Sequence, residues 1–168
     1  MSQVIRNRQV EEDRWETLAA EATEIPAVPV IVPLALWKAR RDELLARRTP
    51  VGVWLKPDDE PAALAPDLRH LAIVAVQFPK WGDGRGYSTA TLLRRRHGWR
   101  GELRAFGDLG RDHLFMLARV GFDSICLGEL HDPQAALAAF IDFSLRYQGA
   151  ADDPVPLFRR RAAGTGLQ

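Results

Sequence analysis

Short apolar runs rich in β-branched residues alternate with helical or loop segments along most of this 168-residue chain. The runs are Val28–Val32, Val51–Leu55, Leu71–Phe78, Glu102–Phe106 and Ser124–Leu127. Alternation of this kind is typical of a parallel sheet whose strands are joined by right-handed crossovers. We therefore predict an α/β fold with an open, mainly parallel five-stranded sheet and helices on both faces.

Chain length limits how these units can close. Eight strand–helix units need about 250 residues, so the chain is too short for a closed barrel. A partial β/α barrel that pairs with a second subunit is the alternative architecture. In that case the protein would be a homodimer. We divide the chain into a small N-terminal appendage at 1–26, a single α/β domain at 27–148 and a loosely ordered tail at 149–168. The appendage should pack on the domain through Ile5 and Trp15.

Residue types set the expected limits of two helices. Ser88 has a hydroxyl that can accept from a helix amide, so we expect a helix from about Ser88 to His97 with Ser88 as its N-cap. Gly98 should follow that helix in the left-handed conformation. A second helix is expected at Leu109–Val120, with Asp108 as its N-cap.

Charge and cysteine content exclude several functional classes. Lys and Arg total 23 against 22 Asp and Glu, and this net charge of +1 argues against a nucleic-acid-binding face. Uncharged stretches such as Leu71–Pro79 are too short to cross a bilayer, so no membrane partner is expected. The N-terminus lacks the apolar segment of a secretory signal, which favours a cytoplasmic location. The lone Cys126 excludes an internal disulfide and a four-thiolate iron–sulfur cluster in this chain alone, and we expect an inert buried thiol.

The loop after the third predicted strand, from Pro79 to Ser88, is the most informative candidate site. It has three glycines in five residues, which leave backbone amides uncovered, and it leads into a helix N-terminus, which favours an anion. Lys80 and Arg85 add positive charge. We predict a site for an oxyanion or a phosphate ester here. The alternative is a tight turn in which Arg85 pairs with Asp83 or Asp108.

The loops after the fourth and fifth strands should line the same crevice if the strands are neighbours. His113 is expected to be a partly solvated structural histidine, and Glu129 with His131 lacks the second ligand pair of a metal site. The predicted ligand-binding residues are Lys80, Asp83, Gly84, Arg85, Gly86, Tyr87, Ser88, Asp108 and Arg111.

A dinucleotide fingerprint is a further possibility for the same loop. Gly82, Gly84 and Gly86 form GxGxG rather than GxGxxG, while Asp108 stands where a ribose-binding acid would lie. Because the glycine spacing departs from the fingerprint, the sequence does not identify a cofactor, and NADPH or a flavin are the candidates.

The run FPKWGDGRGYS at 78–88, the strand GELR at 101–104 and the segment GFD at 121–123 resemble the signature of the bacterial domain of unknown function 934 family. The resemblance is dense from Phe78 to about Leu127 and includes Arg104, Gly107 and Asp112 besides the loop residues. Members are commonly labelled probable oxidoreductases associated with sulfite reduction, and their genes tend to lie beside those of assimilatory sulfite and activated-sulfate reductases.

The resemblance implies an accessory protein of assimilatory sulfate and sulfite reduction that holds sulfite, sulfate or a phosphosulfate nucleotide for a partner enzyme. One cysteine cannot supply a dithiol couple or an iron–sulfur cluster, so the chain would not be the electron-transferring reductase by itself. Two alternatives stay open: an oxidoreductase that uses NAD(P)H or a flavin, and a non-catalytic module that docks on a sulfite reductase or activated-sulfate reductase subunit.

Overall fold

The computed structural model describes residues 3–128 and 131–140, and these form one eight-stranded sheet in the order β2-β1-β8-β7-β6-β5-β4-β3. Neighbours from β3 to β8 are parallel, whereas β1 is antiparallel to both β8 and β2. The strands are β1 (Gln3–Arg6), β2 (Gln9–Glu12), β3 (Glu16–Thr17), β4 (Val30–Pro33), β5 (Val51–Leu55), β6 (Ile73–Phe78), β7 (Glu102–Gly107) and β8 (Ser124–Ile125).

Short helices connect the parallel strands. The α-helices are α1 (Leu34–Ala39), α2 (Arg41–Leu45), α3 (Arg85–Thr91), α4 (Leu114–Val120) and α5 (Pro133–Ala136). A π-helical turn extends α3 through Leu92–Arg96, and 3₁₀ turns lie at Pro61–Leu64, Leu68–His70, Arg111–His113 and Leu137–Phe140.

The six parallel strands lie side by side in chain order, and the sheet curls into an open half-barrel. The partial-barrel alternative therefore fits. The predicted sheet of five strands has too few, because residues 3–17 add three more. The prediction of helices on both faces is wrong for the described residues. Right-handed crossovers between strands that advance in one direction all pass over the same face.

The helix-bearing face contains the larger hydrophobic core. Alternate strand residues such as Val53, Val74 and Leu103 share one buried cluster with Leu93 of the π-helical turn and Leu117 of α4. Successive strand residues point to opposite faces of the sheet. The apolar strand residues on the face without helices therefore need another part of the chain to cover them.

The N-terminal segment covers the opposite face. Trp15 and Ala20 pack against a smaller buried cluster, and the indole Nε1 of Trp54 donates to the Leu18 carbonyl at 2.9 Å. Ile5, on β1, belongs to the larger core. The smaller cluster consists of Ile31, Trp54, Ile73 and Ala75.

Two expected helix starts are wrong. Helix α3 begins at Arg85 with Gly84 as its N-cap, three residues before Ser88, because the chain already turns at Asp83 and Gly84. The segment before α4 is capped by Gly110 rather than Asp108. The prediction for Gly98 is confirmed, since its φ is +64°.

Within the described ranges, no helix is long and apolar enough to cross a membrane. The tail predicted at 149–168 lies outside the described residues, as does Glu129.

Candidate functional site

The carboxyl ends of β6 and β7 approach each other unusually closely. Gly107 has a φ of +116°, and a Cβ atom there would lie 2.2 Å from the Phe78 carbonyl oxygen, so only glycine fits. This approach lets the Asp108 amide donate to that same oxygen at 2.7 Å. The Asp108 side chain consequently reaches the loop that follows β6.

Trp81 is held through its backbone on both sides by residues that follow β7. Its amide donates to Asp108 Oδ2 at 2.9 Å, and its carbonyl oxygen lies 2.9 Å from His113 Nε2. The His113 Nδ1 accepts from the Gly110 amide at 3.1 Å, so the ring hydrogen is on Nε2 and is donated to Trp81. Asp108 and His113 therefore fix the backbone that carries the Trp81 side chain.

The indole of Trp81 is the most exposed large apolar side chain in the described part of the protein, at 62%. It meets the buried His113 ring edge to face, with ring centroids 5.6 Å apart and an interplanar angle of 77°. Most of the indole surface is thus presented to solvent on a rigid support.

A pocket of about 280 Å³ opens beside Trp81, between the β6–α3 loop and the segment that leads into α4. We call it the loop pocket. It combines two aromatic rings, a histidine, two carboxylates and two glycine backbones. Its lining residues are Trp81, Gly82, Asp83, Gly84, Tyr87, Asp112 and His113.

Arg85 is engaged by two carboxylates at the start of α3. Its Nε and Nη2 donate to the two oxygens of Asp83 at 3.0 and 2.7 Å, and its Nη1 pairs with Asp58. The Arg85 hydrogen bonds hold the pKa of Asp83 below its usual range, while the same contact raises the pKa of Arg85. The positive charge expected from Arg85 is therefore largely offset within the loop.

Gly86 and Tyr87 have packing roles at the same helix start. A Cβ atom at Gly86 would lie 2.5 Å from Cζ of Phe78, so glycine lets α3 rest on that ring. The Tyr87 ring also meets Phe78 edge to face at 5.4 Å, and burial raises the pKa of Tyr87. In contrast, a Cβ atom at Gly82 would have no neighbour within 4 Å.

The other predicted site residues lie at the rim or away from it. Lys80 and Ser88 are exposed, and Arg111 lies exposed on the turn before α4. None of the three lines the loop pocket, although Lys80 directly precedes Trp81. The structure thus brings Asp83, Gly84 and Tyr87 together with Trp81 and Asp112, which were not among the predicted ligand-binding residues.

The loop after β8 packs on the loop after β7. The Gly128 amide donates to the Leu109 carbonyl at 3.1 Å, and a Cβ atom at Gly110 would lie 3.2 Å from the His131 ring. The three loops therefore meet as neighbours. Across 3–128 and 131–140, no group of three His, Cys, Asp or Glu side chains is placed to hold a metal ion.

The role of His113 could not be read from its spacing, because its partner is 32 residues away in the chain. The signal for Trp81 was available: a tryptophan inside a glycine-rich loop has little to pack against, and exposure in such a place indicates a contact surface.

Comparisons with known proteins identify the family of this chain, but they do not identify an activity. The family model DUF934, described as a bacterial protein of unknown function, matches residues 52–158 and so includes the whole loop pocket. No curated protein and no solved structure matches the chain. Because the model covers more than half of the sequence, the chain belongs to the DUF934 family of bacterial proteins of unknown function.

Proposed function

We propose that this protein is an accessory protein of assimilatory sulfate and sulfite reduction that holds a phosphate-ester or oxyanion ligand in the loop pocket. The observation that carries the proposal is the position of the pocket. It lies at the carboxyl ends of two parallel strands, β6 and β7, where the βα-loops of barrel-like folds carry their ligand sites. The link to sulfur assimilation rests on the family resemblance alone.

The charges around the pocket favour an organic ester over a bare oxyanion. Arg85 already faces Asp83 and Asp58, and Asp112 contributes a second carboxylate to the lining, so a small dianion gains little Coulomb energy inside. An ester can place its organic part against the aromatic lining and its charge outside. Lys80, exposed next to Trp81, is the cation we expect to meet the phosphate at the rim.

Thermal unfolding with sulfate, sulfite, a phosphosulfate nucleotide and NADPH tests the proposal. The nucleotide at 100 times its dissociation constant should stabilise the fold by about 2.7 kcal/mol, which raises Tm by roughly 5–10 °C for a chain of this size. Lys80→Ala should reduce this shift, whereas Lys38→Ala, which removes an exposed lysine of α1, should not. Identical melting curves across the panel contradict ligand binding, and a shift with NADPH alone favours the oxidoreductase alternative.

A docking module is the second candidate, and exposed apolar side chains favour it. Leu92 and Met116 are 38% and 46% exposed on the π-helical turn and on α4, in addition to Trp81. Such side chains are typical anchors for a protein partner. We propose a sulfite reductase or activated-sulfate reductase subunit as that partner.

Pull-down of the purified reductase subunit separates the two candidates. Docking predicts that Leu92→Ser with Met116→Ser abolishes capture while the ligand-induced thermal shift is retained. If the double variant captures the subunit as well as the wild type does, docking through Leu92 and Met116 is wrong.

A further inference from the structure

We infer that the ligand of the loop pocket carries a planar ring that stacks on Trp81 and hydroxyl or amino groups that donate to Asp112, which is the chemistry of a nucleotide. This inference rests on the proposed function and names the class of phosphate ester that the pocket takes.

The exposure of Trp81 is exceptional among the tryptophans of this chain. Trp37, Trp54 and Trp99 are each no more than 6% exposed, and Trp15 is partly buried, whereas Trp81 is 62% exposed. Each of those three also donates its indole N–H to a protein acceptor. Trp81 thus contributes little to the core.

Rigid support distinguishes Trp81 from a side chain that happens to lie on a loose loop. Asp108 and His113 bind the amide and the carbonyl of the same residue, and the His113 ring braces the indole. A ligand that stacks on this ring does not need to order it first, which lowers the entropic cost of binding.

Asp112 supplies the polar recognition. Of the aspartates around the loop, Asp83 is bound by Arg85 and Asp108 by the Trp81 amide. In the part of the chain that the structure describes, the exposed Asp112 side chain forms no hydrogen bond or ion pair, although it lines the pocket. An unengaged carboxylate repels a sulfate or phosphate ion but accepts hydrogen bonds from hydroxyl and amino groups.

The size of the pocket agrees with a ring and its near substituents. Its volume of about 280 Å³ is close to the lower limit of about 300 Å³ that is usual for small-molecule sites. A nucleotide can therefore place its base and sugar inside while its phosphate stays at the rim, near Lys80.

Calorimetric titration with adenosine, adenosine 5′-phosphate, ribose 5-phosphate and inorganic phosphate tests the inference. Adenosine 5′-phosphate should bind at least about fivefold more tightly than ribose 5-phosphate, since stacking on one aromatic ring contributes that much or more. It should also quench the fluorescence of Trp81.

Three variants and a control make the test specific. Trp81→Ala should erase the difference in affinity between adenosine 5′-phosphate and ribose 5-phosphate and also the quenching, while Trp81→Phe should retain most of the affinity. Asp112→Ala should weaken adenosine binding, and it should not weaken the binding of inorganic phosphate, because it removes a carboxylate that repels the anion. Leu92→Ala removes an exposed apolar side chain outside the pocket, and it should leave the affinities for the four ligands and the fluorescence quenching unchanged.

The outcomes separate this inference from the proposed function. If ribose 5-phosphate and inorganic phosphate bind as tightly as adenosine 5′-phosphate and Trp81→Ala has no effect, the ring is not recognised and only the anion site stands. If adenosine binds as tightly as its phosphate, the ring is recognised and the phosphate-ester proposal is wrong. If none of the four binds, both are wrong.

Discussion

One nitrogen of the Arg104 guanidinium, Nη1, donates to both carboxylate oxygens of Asp13, at 3.0 and 2.9 Å. The two side chains are only 1% and 7% exposed. Arg104 lies between Leu103 and Ala105 of β7, which face the helices, so its side chain is on the opposite face. The pair therefore fastens the N-terminal segment across the helix-free face of the sheet.

Replacing Asp13 by alanine should strongly destabilise the protein. Glu102 and Ser124 still contact Arg104, at 3.1 and 3.2 Å, but they do not replace the acceptors that Nη1 loses. Removing one partner of a buried ion pair costs about 3 kcal/mol or more, because the other charge stays buried. The free energy of unfolding in urea measures the loss.

The exposed pair between Arg40 and Glu43 provides the comparison for this variant. It joins neighbouring turns at the surface, where solvent screens the charges. Glu43→Ala should leave the urea midpoint nearly unchanged. Equal effects of the two substitutions would show that the contact with Asp13 is not a buried anchor.

The sequence predicted the strands that are buried on both faces. β5 was expected at Val51–Leu55 and lies there, because a run of apolar residues without charges has few other stable environments. β1 to β3 were missed as part of the sheet, since their residues are mostly polar and their partners lie far away in the chain. The face on which the helices lie depends on strand order, which apolar patterns do not encode.

The candidate site was predictable in its loop and not in its contacts. The glycines after β6 identified the loop, but the Asp58 that pairs with Arg85 is 27 residues away. Pairing of Arg85 with Asp83 was one of two alternatives for this turn, and it is present. Whether the charge of Arg85 is offset depends on residues that are distant in the sequence. The electrostatics of the loop could therefore not be predicted from the spacing of the residues within it.

Gly86→Ala should destabilise the protein, although alanine is the better helix former. The new Cβ atom would lie 2.5 Å from the Phe78 ring, which is itself buried against Tyr87 and Phe122 and has no room to move. Overpacking of this kind costs about 1–3 kcal/mol. Thermal unfolding provides the measurement.

Gly82→Ala is the matched control, since its Cβ atom would have no neighbour within 4 Å. We expect its stability to stay within about 0.5 kcal/mol of the wild type. A stable Gly86→Ala protein would mean that α3 does not rest on Phe78.

Asp67 should make stability depend on pH in the acid range. Its carboxylate accepts from Arg41 and from the Trp37 indole, and the Arg41 hydrogen bonds are the main reason that the pKa of Asp67 is lowered. A lowered pKa stabilises the fold above the unfolded-state value of about 3.9, and this contribution is lost as pH falls through the folded-state pKa.

Asp67→Asn should therefore be less stable than the wild type at pH 7, and the difference should shrink below about pH 4. Urea unfolding of both proteins over this range measures the difference. If the gap between the two proteins stays constant from pH 7 to pH 3, the ion pair with Arg41 does not account for it.

Cys126 should react slowly with thiol reagents at neutral pH. Burial raises the pKa of the thiol to about 11, with Arg104 opposing and Asp13 reinforcing that shift. Since the thiolate is the reactive form, labelling by iodoacetamide at pH 7 should be much slower than in the urea-unfolded chain. The rate should rise with pH up to about 11. Fast labelling of the folded protein at pH 7 would contradict a half-buried, protonated thiol.

Asp108 should control the function of the loop pocket without touching the ligand. Asp108→Ala removes the acceptor for the Trp81 amide, so the indole should become more mobile. The contribution of Trp81 to the steady-state fluorescence anisotropy, obtained by difference from Trp81→Phe, should therefore fall. Asp108→Asn keeps a side-chain oxygen that can accept from the same amide, and it should restore most of the anisotropy. Affinity for adenosine 5′-phosphate should follow the same order, because a mobile ring must be ordered before it can stack. An alanine variant with wild-type anisotropy and weaker binding would instead place Asp108 in direct contact with the ligand.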